Sequence, residues 1–302
     1  MRVALLGLGL IGGSIARALR EGTAGAGPFG GGDLEIAAWT PTQVGPRTAL
    51  AAGSIDTVGR SIAEAVDGAA IVVLSAPPIA MAELLDELVV CRRSGRLTES
   101  AVVTDVGSTK RWIMAEASKR GLRFVGGHPM AGSHETGFSA ADPNLFLGRP
   151  WVVVPGDRSG AGQALVEQLA TACGARPVTM DAELHDTATA GISHLPLLLA
   201  AALAGSVALG PQASAANGWH VARLLASSGW SSATRLAHGS EEMGADLLAT
   251  NAAEVRVRLR ALRDELDAWD SRLAAAERDP LGARADIRSR LTAVRKALEE
   301  EG

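Results

Sequence analysis

An α/β domain with a mostly parallel sheet, followed by an all-α half, is the fold class that this sequence predicts. Three observations predict it. Strand-like apolar runs alternate with helix-length segments from residue 2 to about residue 180; the strand signals stop after Asp181; and every later segment reads as helical. Repeated β-α units place parallel strands side by side and cover both faces of the sheet with helices. The expected organisation is therefore one domain over residues 1–180 and a helical one over 181–302. A chain of 302 residues is long enough for about two domains. Apolar residues make up 47%, which excludes disorder for most of the chain. The net charge of −4 argues against a nucleic-acid partner, which needs a basic face. Two cysteines, Cys91 and Cys173, make no disulfide framework and fit a reducing cytoplasm. No Cys/His cluster has metal-ligand spacing, so no structural metal is expected.

The elements follow in order. Arg2–Leu6 is a short run apolar enough to be a strand buried on both faces. A helix then runs to about Glu21, and residues 22–33 (GTAGAGPFGGGD) form a Gly-rich loop expected to be mobile. Leu34–Trp39 is the second strand, and Pro41 to Ala52 holds a helix with Pro near its start. Ile71–Ser75 is a strand that Ala76-Pro77-Pro78 must end, before a helix over about Ala80–Val89. Ala101–Asp105 and Phe124–Gly126 are strands around a helix at Thr109–Arg120. Trp151–Val154 and Pro177–Met180 are late strands around a helix at Ala161–Ala172. Beyond them, helices are expected over 183–208, 213–228, 232–248, 251–276 and about 281–300. The uncharged stretch Leu195–Gly210 is shorter than the roughly 18–20 apolar residues that span a bilayer. With Pro196 near its start it reads as a buried helix, so no membrane partner is expected.

Met1-Arg2 and the apolar run Val3–Ile15 resemble an export signal, but Gly7, Gly9, Gly12 and Gly13 interrupt the run. A strand–turn–helix accounts for it better. Gly7, Gly9 and Gly12 fit G-x-G-x-x-G, with Leu10 and Ile11 inside the motif. The first Gly permits the turn, the second lets backbone approach a pyrophosphate, and the third lets helix and strand pack closely. Unpaired N–H groups at the helix start then face the phosphates. The first domain is therefore expected to be a Rossmann-type dinucleotide-binding domain. In NAD-binding domains of this kind an acid near the end of the second strand holds the ribose 2′-hydroxyl. Here that region reads Trp39-Thr40-Pro41-Thr42, with no acid. Thr40 and Thr42 can donate to a 2′-phosphate and Arg47 can supply charge, so NADP is expected, with NAD as the alternative. The other reading makes the two threonines helix caps and Arg47 a solvated surface residue.

Ligands in such sheets bind beyond the carboxyl ends of the strands. Ser75, Ala76 and Pro77 form a stiff, apolar loop suited to a nicotinamide ring. Ser108 and Lys110 sit at a helix start, where Ser108 is either a functional hydroxyl or an N-cap. His128 ends a strand, is followed by Pro129, and is placed to take a proton from a substrate hydroxyl or to serve structurally. His194, in Ser193-His194-Leu195-Pro196, reads by itself as a buried structural His. Arg235 lies among small residues, where it can clamp a carboxylate or pair with a nearby acid.

Together these segments resemble the prephenate/arogenate dehydrogenases of tyrosine biosynthesis. The resemblance rests on GLGLIGGS (7–14), TDVGSTK (104–110), GGHPMAGSHETG (126–137), LHDTATAGISHLP (184–196) and SSGWSSATRLA (227–237), in family order. It implies a Rossmann domain followed by a helical dimerisation domain, and hence a homodimer. It also implies oxidative decarboxylation of a cyclohexadienol, with hydride passing to a nicotinamide. His128 matches the family His that accepts the hydroxyl proton, and Ser108 the Ser that hydrogen-bonds around that hydroxyl and His. Arg235 matches the Arg that binds the substrate carboxylate, while Ser133, Ser193 and His194 fall at substrate-pocket positions. Two departures matter. Many prephenate-using members carry a second His, as SHLPH, where this chain has Leu197. Many also carry a Trp where it has Glu242-Met243-Gly244. The stretch Glu241–Asn251 is similar to cyanobacterial-type, NADP-linked arogenate dehydrogenases, so arogenate is expected as substrate, with prephenate second. After the helical half, no room is expected for a further regulatory domain of roughly 50 residues or more. A 3-hydroxyacid or imine reductase and a silent nucleotide-sensing dimer are the rival classes. The first is disfavoured by His194 where those enzymes typically carry Lys, the second by the joint presence of His128, Ser108 and Arg235.

Overall fold

The structure, a computed structural model, describes residues 1–21, 29, 33–133, 135–157, 160–210 and 218–300. Its frame is an eight-stranded sheet: β1 (Arg2–Leu6), β2 (Glu35–Trp39), β3 (Thr57–Val58), β4 (Ile71–Leu74), β5 (Val102–Asp105), β6 (Phe124–Pro129), β7 (Pro150–Pro155) and β8 (Arg176–Thr179). The order is β3-β2-β1-β4-β5-β6-β7-β8, and only the β6–β7 pairing is antiparallel. Strand side chains alternate between faces. Val3 and Leu5 of β1 therefore enter one apolar core and Ala4 and Leu6 enter the other. Both faces are covered, which is why the strand sequences are continuous apolar runs. The first helices are α1 (Leu10–Glu21), α2 (Val44–Ala51), α3 (Ile62–Val66), α4 (Pro78–Arg93), α5 (Arg111–Lys119) and α6 (Gly162–Ala172). Both cysteines are buried and free.

Strand order reverses between β1 and β4, so the ligand crevice opens at their carboxyl ends. The chain runs on through α7 (Ala182–Thr189), one π-helical segment (Ala190–His194) and α8 (Leu195–Ala208). Next come α9 (Trp219–Leu225), α10 (Ser228–Thr234), a 3₁₀ turn (Arg235–His238) and α11 (Glu241–Thr250). The two last helices are α12 (Ala252–Arg278) and α13 (Pro280–Glu299). Two compact units result, Met1–Ala252 and Ala253–Gly302. Arg272–Asp286 and Arg290–Glu265 ion pairs hold the second together.

Several expectations are corrected. The pair β3 and α3 goes unread in the sequence, being too short to show a period. The helix expected over 232–248 is broken at Gly239, after which Ser240 accepts from the Met243 N–H and starts α11. Arg235 accordingly lies in a 3₁₀ turn, not inside a helix. The apolar run of α8 is not buried within the chain: Ala200 is its one buried residue, and Leu199 and Leu203 are exposed. The stretch Ala182–Ala208 is long and apolar enough to cross a membrane, but His185, Asp186 and His194 along it are buried and bonded into the fold. Most of the Gly-rich loop, 22–28 and 30–32, lies outside the described residues, as does 213–217 of an expected helix; Phe29 is buried in the first core.

Candidate active site

The glycine loop has the shape a dinucleotide needs. Gly7 has φ 107° and donates its N–H to the Trp39 carbonyl. A Cβ there would overlap the Ser75 carbonyl, and one on Gly12 would overlap the Gly7 carbonyl. A Cβ on Gly9 would meet nothing within 4 Å. The loop is thus closed behind and open in front, so backbone N–H groups at the start of α1 can meet a pyrophosphate. Leu10 and Ile11 open α1. The Ser75 hydroxyl would sit 3.0 Å from a Gly12 Cβ, which brings the β4 loop with Ala76 and Pro77 to the same crevice. Thr40 Oγ1 accepts from the Gln43 N–H, while Thr42 and Arg47 are exposed.

At the end of β6 the chain reads Gly126-Gly127-His128. A Cβ on Gly127 would overlap the Asp105 carbonyl, so only glycine lets β6 lie this close to β5. Behind it Lys110 is fully buried and ion-paired with Asp105, and it donates to the Gly127 carbonyl at 2.7 Å. Asp105 in turn accepts from the Gly107 and Gly127 N–H groups. Removing one partner of a buried pair strands the other charge. Lys110→Met is therefore expected to lower unfolding free energy by about 3–5 kcal/mol in urea titrations. A loss under about 1 kcal/mol would remove the pair from the account of how β6 is held.

His128 is 8% exposed, and its Nδ1 lies 2.8 Å from His185 Nε2. His185 Nδ1 lies 2.8 Å from Asp186 Oδ1. The chain of bonds has a direction. Burial alone would raise the Asp186 pKa, but hydrogen bonds from His185 and from the Lys110 and Arg111 N–H groups outweigh it and hold the carboxylate ionised. An ionised carboxylate only accepts, so a His185 ring with one proton donates through Nδ1 and accepts at Nε2. His128 must then donate through Nδ1, which leaves the lone pair on its Nε2. Burial, reinforced by His185, Lys110 and His194, holds the His128 pKa well below the usual imidazole range. At neutral pH this His is an uncharged base.

Asp186 does a second job: it accepts from the Lys110 and Arg111 N–H groups at 2.7 and 2.9 Å and so caps α5. The cap role open to Ser108 is therefore taken by a residue far along the chain. Ser108 is half-buried, and no hydrogen bond links it to His128. The π-helical segment turns His194 inward to full burial and leaves Ser193 exposed. Such segments often mark functional sites. Asn251 Nδ2 donates to the Asp186 carbonyl and lies 3.2 Å from His194 Nδ1. His194 Nε2 and Asn251 Oδ1 are buried with no hydrogen bond among the described residues. Burial lowers the His194 pKa, with His185 adding to the effect and Asp186 opposing it. Ser133 is exposed and accepts from the Glu135 N–H. Arg235 is exposed, and no hydrogen bond or ion pair ties it to His128 or Ser108.

Sequence reasoning assigned no role to His185, Asp186, Asn251, Asp105 or Asp246. Asp246 accepts from the Ile79 N–H at the start of α4, beside the loop of Ala76 and Pro77. The adjacent His185-Asp186 in α7 was the available signal; the others depend on contacts between distant segments.

The profile of the prephenate dehydrogenase nucleotide-binding domain matches residues 36–179, and that of the prephenate dehydrogenase dimerization domain matches 181–284. A prephenate dehydrogenase of Bacillus subtilis (strain 168) is 33% identical over 273 residues, covering 88% of this chain and 67% of that protein. The crystal structure of Synechocystis arogenate dehydrogenase superposes with a TM-score of 0.78 at 27% identity, covering 100% of both chains. Prephenate dehydrogenase from A. aeolicus, in complex with hydroxyphenyl propionate and NAD+, superposes with a TM-score of 0.82 at 26% identity, covering 99% of this chain and 98% of that one.

Proposed function

The chain belongs to the prephenate dehydrogenase family, and from that premise we propose that it converts arogenate to tyrosine by oxidative decarboxylation, with NADP as hydride acceptor. The observation that carries the chemistry is the directed chain Asp186–His185–His128, which ends in a lone pair on an uncharged, buried imidazole. When bound, the nicotinamide supplies the acceptor for the hydride that leaves the ring carbon bearing the hydroxyl. His128 Nε2 takes the proton of that hydroxyl, and His185 and Asp186 stabilise the resulting imidazolium through its Nδ1–H. Once carbon dioxide has left and the ring is aromatic, His128 returns the proton to the phenolic oxygen. Ser108 hydrogen-bonds the reacting hydroxyl, and Arg235 clamps a substrate carboxylate with its guanidinium fork. Ser133, Ser193 and His194 line the pocket, the last with an unused Nε2–H donor. Gly7, Gly9, Leu10, Ile11 and Gly12 hold the pyrophosphate. Ser75, Ala76 and Pro77 face the nicotinamide, and Thr40, Thr42 and Arg47 lie toward the 2′-phosphate.

The choice of arogenate is supported by a contact. The Leu197 side chain lies 3.5 Å from where a Gly244 Cβ would be, so the two departures from the usual prephenate pattern are neighbours. They put an aliphatic side chain beside a glycine where many prephenate-using members carry His and Trp. Prephenate is the second reading, favoured by the similarity to the B. subtilis prephenate dehydrogenase. Initial rates over arogenate or prephenate, each with NADP or NAD, decide between them; faster turnover of prephenate would overturn the first reading. Leu197→His is expected to shift the kcat/KM ratio toward prephenate by about 10-fold, the effect of one added hydrogen bond. An unchanged ratio would remove Leu197 from specificity.

In this reading residues 1–180 form the cofactor domain and 181–302 the substrate and dimerisation domain. A second copy covers the exposed apolar side chains of α8, and the homodimer works in the cytoplasm.

A further inference from the structure

Beyond the ends of β2 and β3, beside Thr40, stand Gln43 and Arg60, which the reading above leaves unused. Ala38 and Val58 are register partners, and the Gly59 N–H still bonds to the Ala38 carbonyl. Thr40 and Arg60 each follow two residues later, so they leave the sheet side by side, at about the 4.8 Å spacing of neighbouring strands. The turn after Thr40 is unusual. Gln43 has φ 56° and is the one non-glycine residue with positive φ among the described residues. L residues adopt that conformation seldom, so something local must hold it. The Gln43 side chain shows what the conformation achieves: Nε2 donates to the carbonyls of Gly59 and Arg60, at 3.3 and 3.4 Å. It fastens the loop that carries Arg60 against the turn that carries Thr40.

The Arg60 side chain is 88% exposed. Its Nε donates to both carboxylate oxygens of Glu64, and that carboxylate also accepts from the Arg60 N–H. An exposed pair of this kind contributes little. It also engages only one edge of the guanidinium, leaving the terminal nitrogens to bond elsewhere. From Trp39 through Gln43 no acid is present to repel a phosphate. With strand order 3-2-1-4, the adenosine end of a dinucleotide reaches this part of the sheet, and an arginine there accommodates a 2′-phosphate.

We infer that Arg60 is the residue that selects NADP over NAD: its guanidinium takes the 2′-phosphate, and Gln43 positions the loop that presents it. The inference rests on the NADP reading, and binding measurements separate the two. Calorimetric titrations of the whole chain would use NADP, NAD, adenosine 2′,5′-bisphosphate and 5′-AMP. The wild type is expected to bind the two 2′-phosphorylated ligands more tightly than their counterparts. Arg60→Ala is expected to weaken those two by roughly 10- to 100-fold, the effect of a charge-assisted hydrogen bond, with NAD and 5′-AMP unchanged within about 2-fold. Arg60→Lys should recover part of the loss. Glu64→Gln, which releases the guanidinium, should tighten NADP. If Arg60→Ala keeps the full preference, the assignment fails while the NADP reading stands. Equal weakening of all four ligands would also overturn it, since Arg60 would then serve the loop rather than the 2′-phosphate. A wild type that binds NAD more tightly removes both the NADP reading and the inference.

Discussion

Replacing His128 with Asn is expected to lower kcat by about 10²- to 10⁴-fold, the usual contribution of a positioned general base. Binding of the dinucleotide should be unchanged, because no residue of the glycine loop bonds to His128. Asn has no lone pair of useful basicity where Nε2 stood, so the hydroxyl proton has no local acceptor. The wild-type pH profile tests the same base from another side. Protonating His128 removes its activity, and burial holds its pKa well below 6.5. The acid limb of kcat/KM should therefore lie below pH 6.5, with full activity retained as pH falls through that value. A limb at or above that value, or a His128→Asn variant within about 3-fold of wild type, would take the base role away from His128.

Asp186→Asn is expected to cost a comparable factor, although Asp186 is a positioning residue and touches no substrate in the proposed reaction. The amide can offer an N–H where the carboxylate could only accept. His185 is then free to carry its proton on Nε2, and His128 Nδ1 becomes the acceptor. The His128 proton moves to Nε2, and the base is lost without any change in shape. The variant should also be less stable by about 1–3 kcal/mol, because an amide nitrogen facing His185 can no longer accept from the Lys110 N–H at the start of α5. Loss of activity well below the melting temperature, together with a displaced acid limb, separates the tautomer effect from that loss. Wild-type kcat in a variant that only melts earlier would leave Asp186 as a helix cap and nothing more.

The parts of this fold that were legible in the sequence are those with local causes. Residues 2–12 announce a strand, a turn and a helix because an apolar run gives way to Gly7, Gly9 and Gly12 in G-x-G-x-x-G spacing. Strand β6 was legible only as far as Gly126; the structure carries it on through His128 to Pro129, because these residues pair with β7, which arrives from later in the chain. The partners of His128 were not legible, because His185 arrives from 57 residues away and its orientation depends on a carboxylate that also caps α5. Ser108 shows the same limit from the other side. A Ser just before a helix reads as a cap, and only the packed structure reveals that Asp186 has taken that place. The exposed face of α8 misled for a related reason: an apolar helix reads as buried, but within this chain Ala200 is its one buried residue.

Helix α11 ties three distant places together. Asp246 holds the start of α4 through Ile79, the Thr250 hydroxyl lies 2.9 Å from that of Thr109 just before α5, and Asn251, one residue past the helix, bonds to the Asp186 carbonyl and approaches His194. The apolar loop and the proton relay are thereby fastened to one short rod. In mechanical terms the crevice has a strap across it where many two-domain enzymes have a hinge. Swinging its walls apart would break these contacts together, two of them buried. The loop of Ala76 and Pro77 and the residues around His128 are then expected to keep their spacing when a ligand binds.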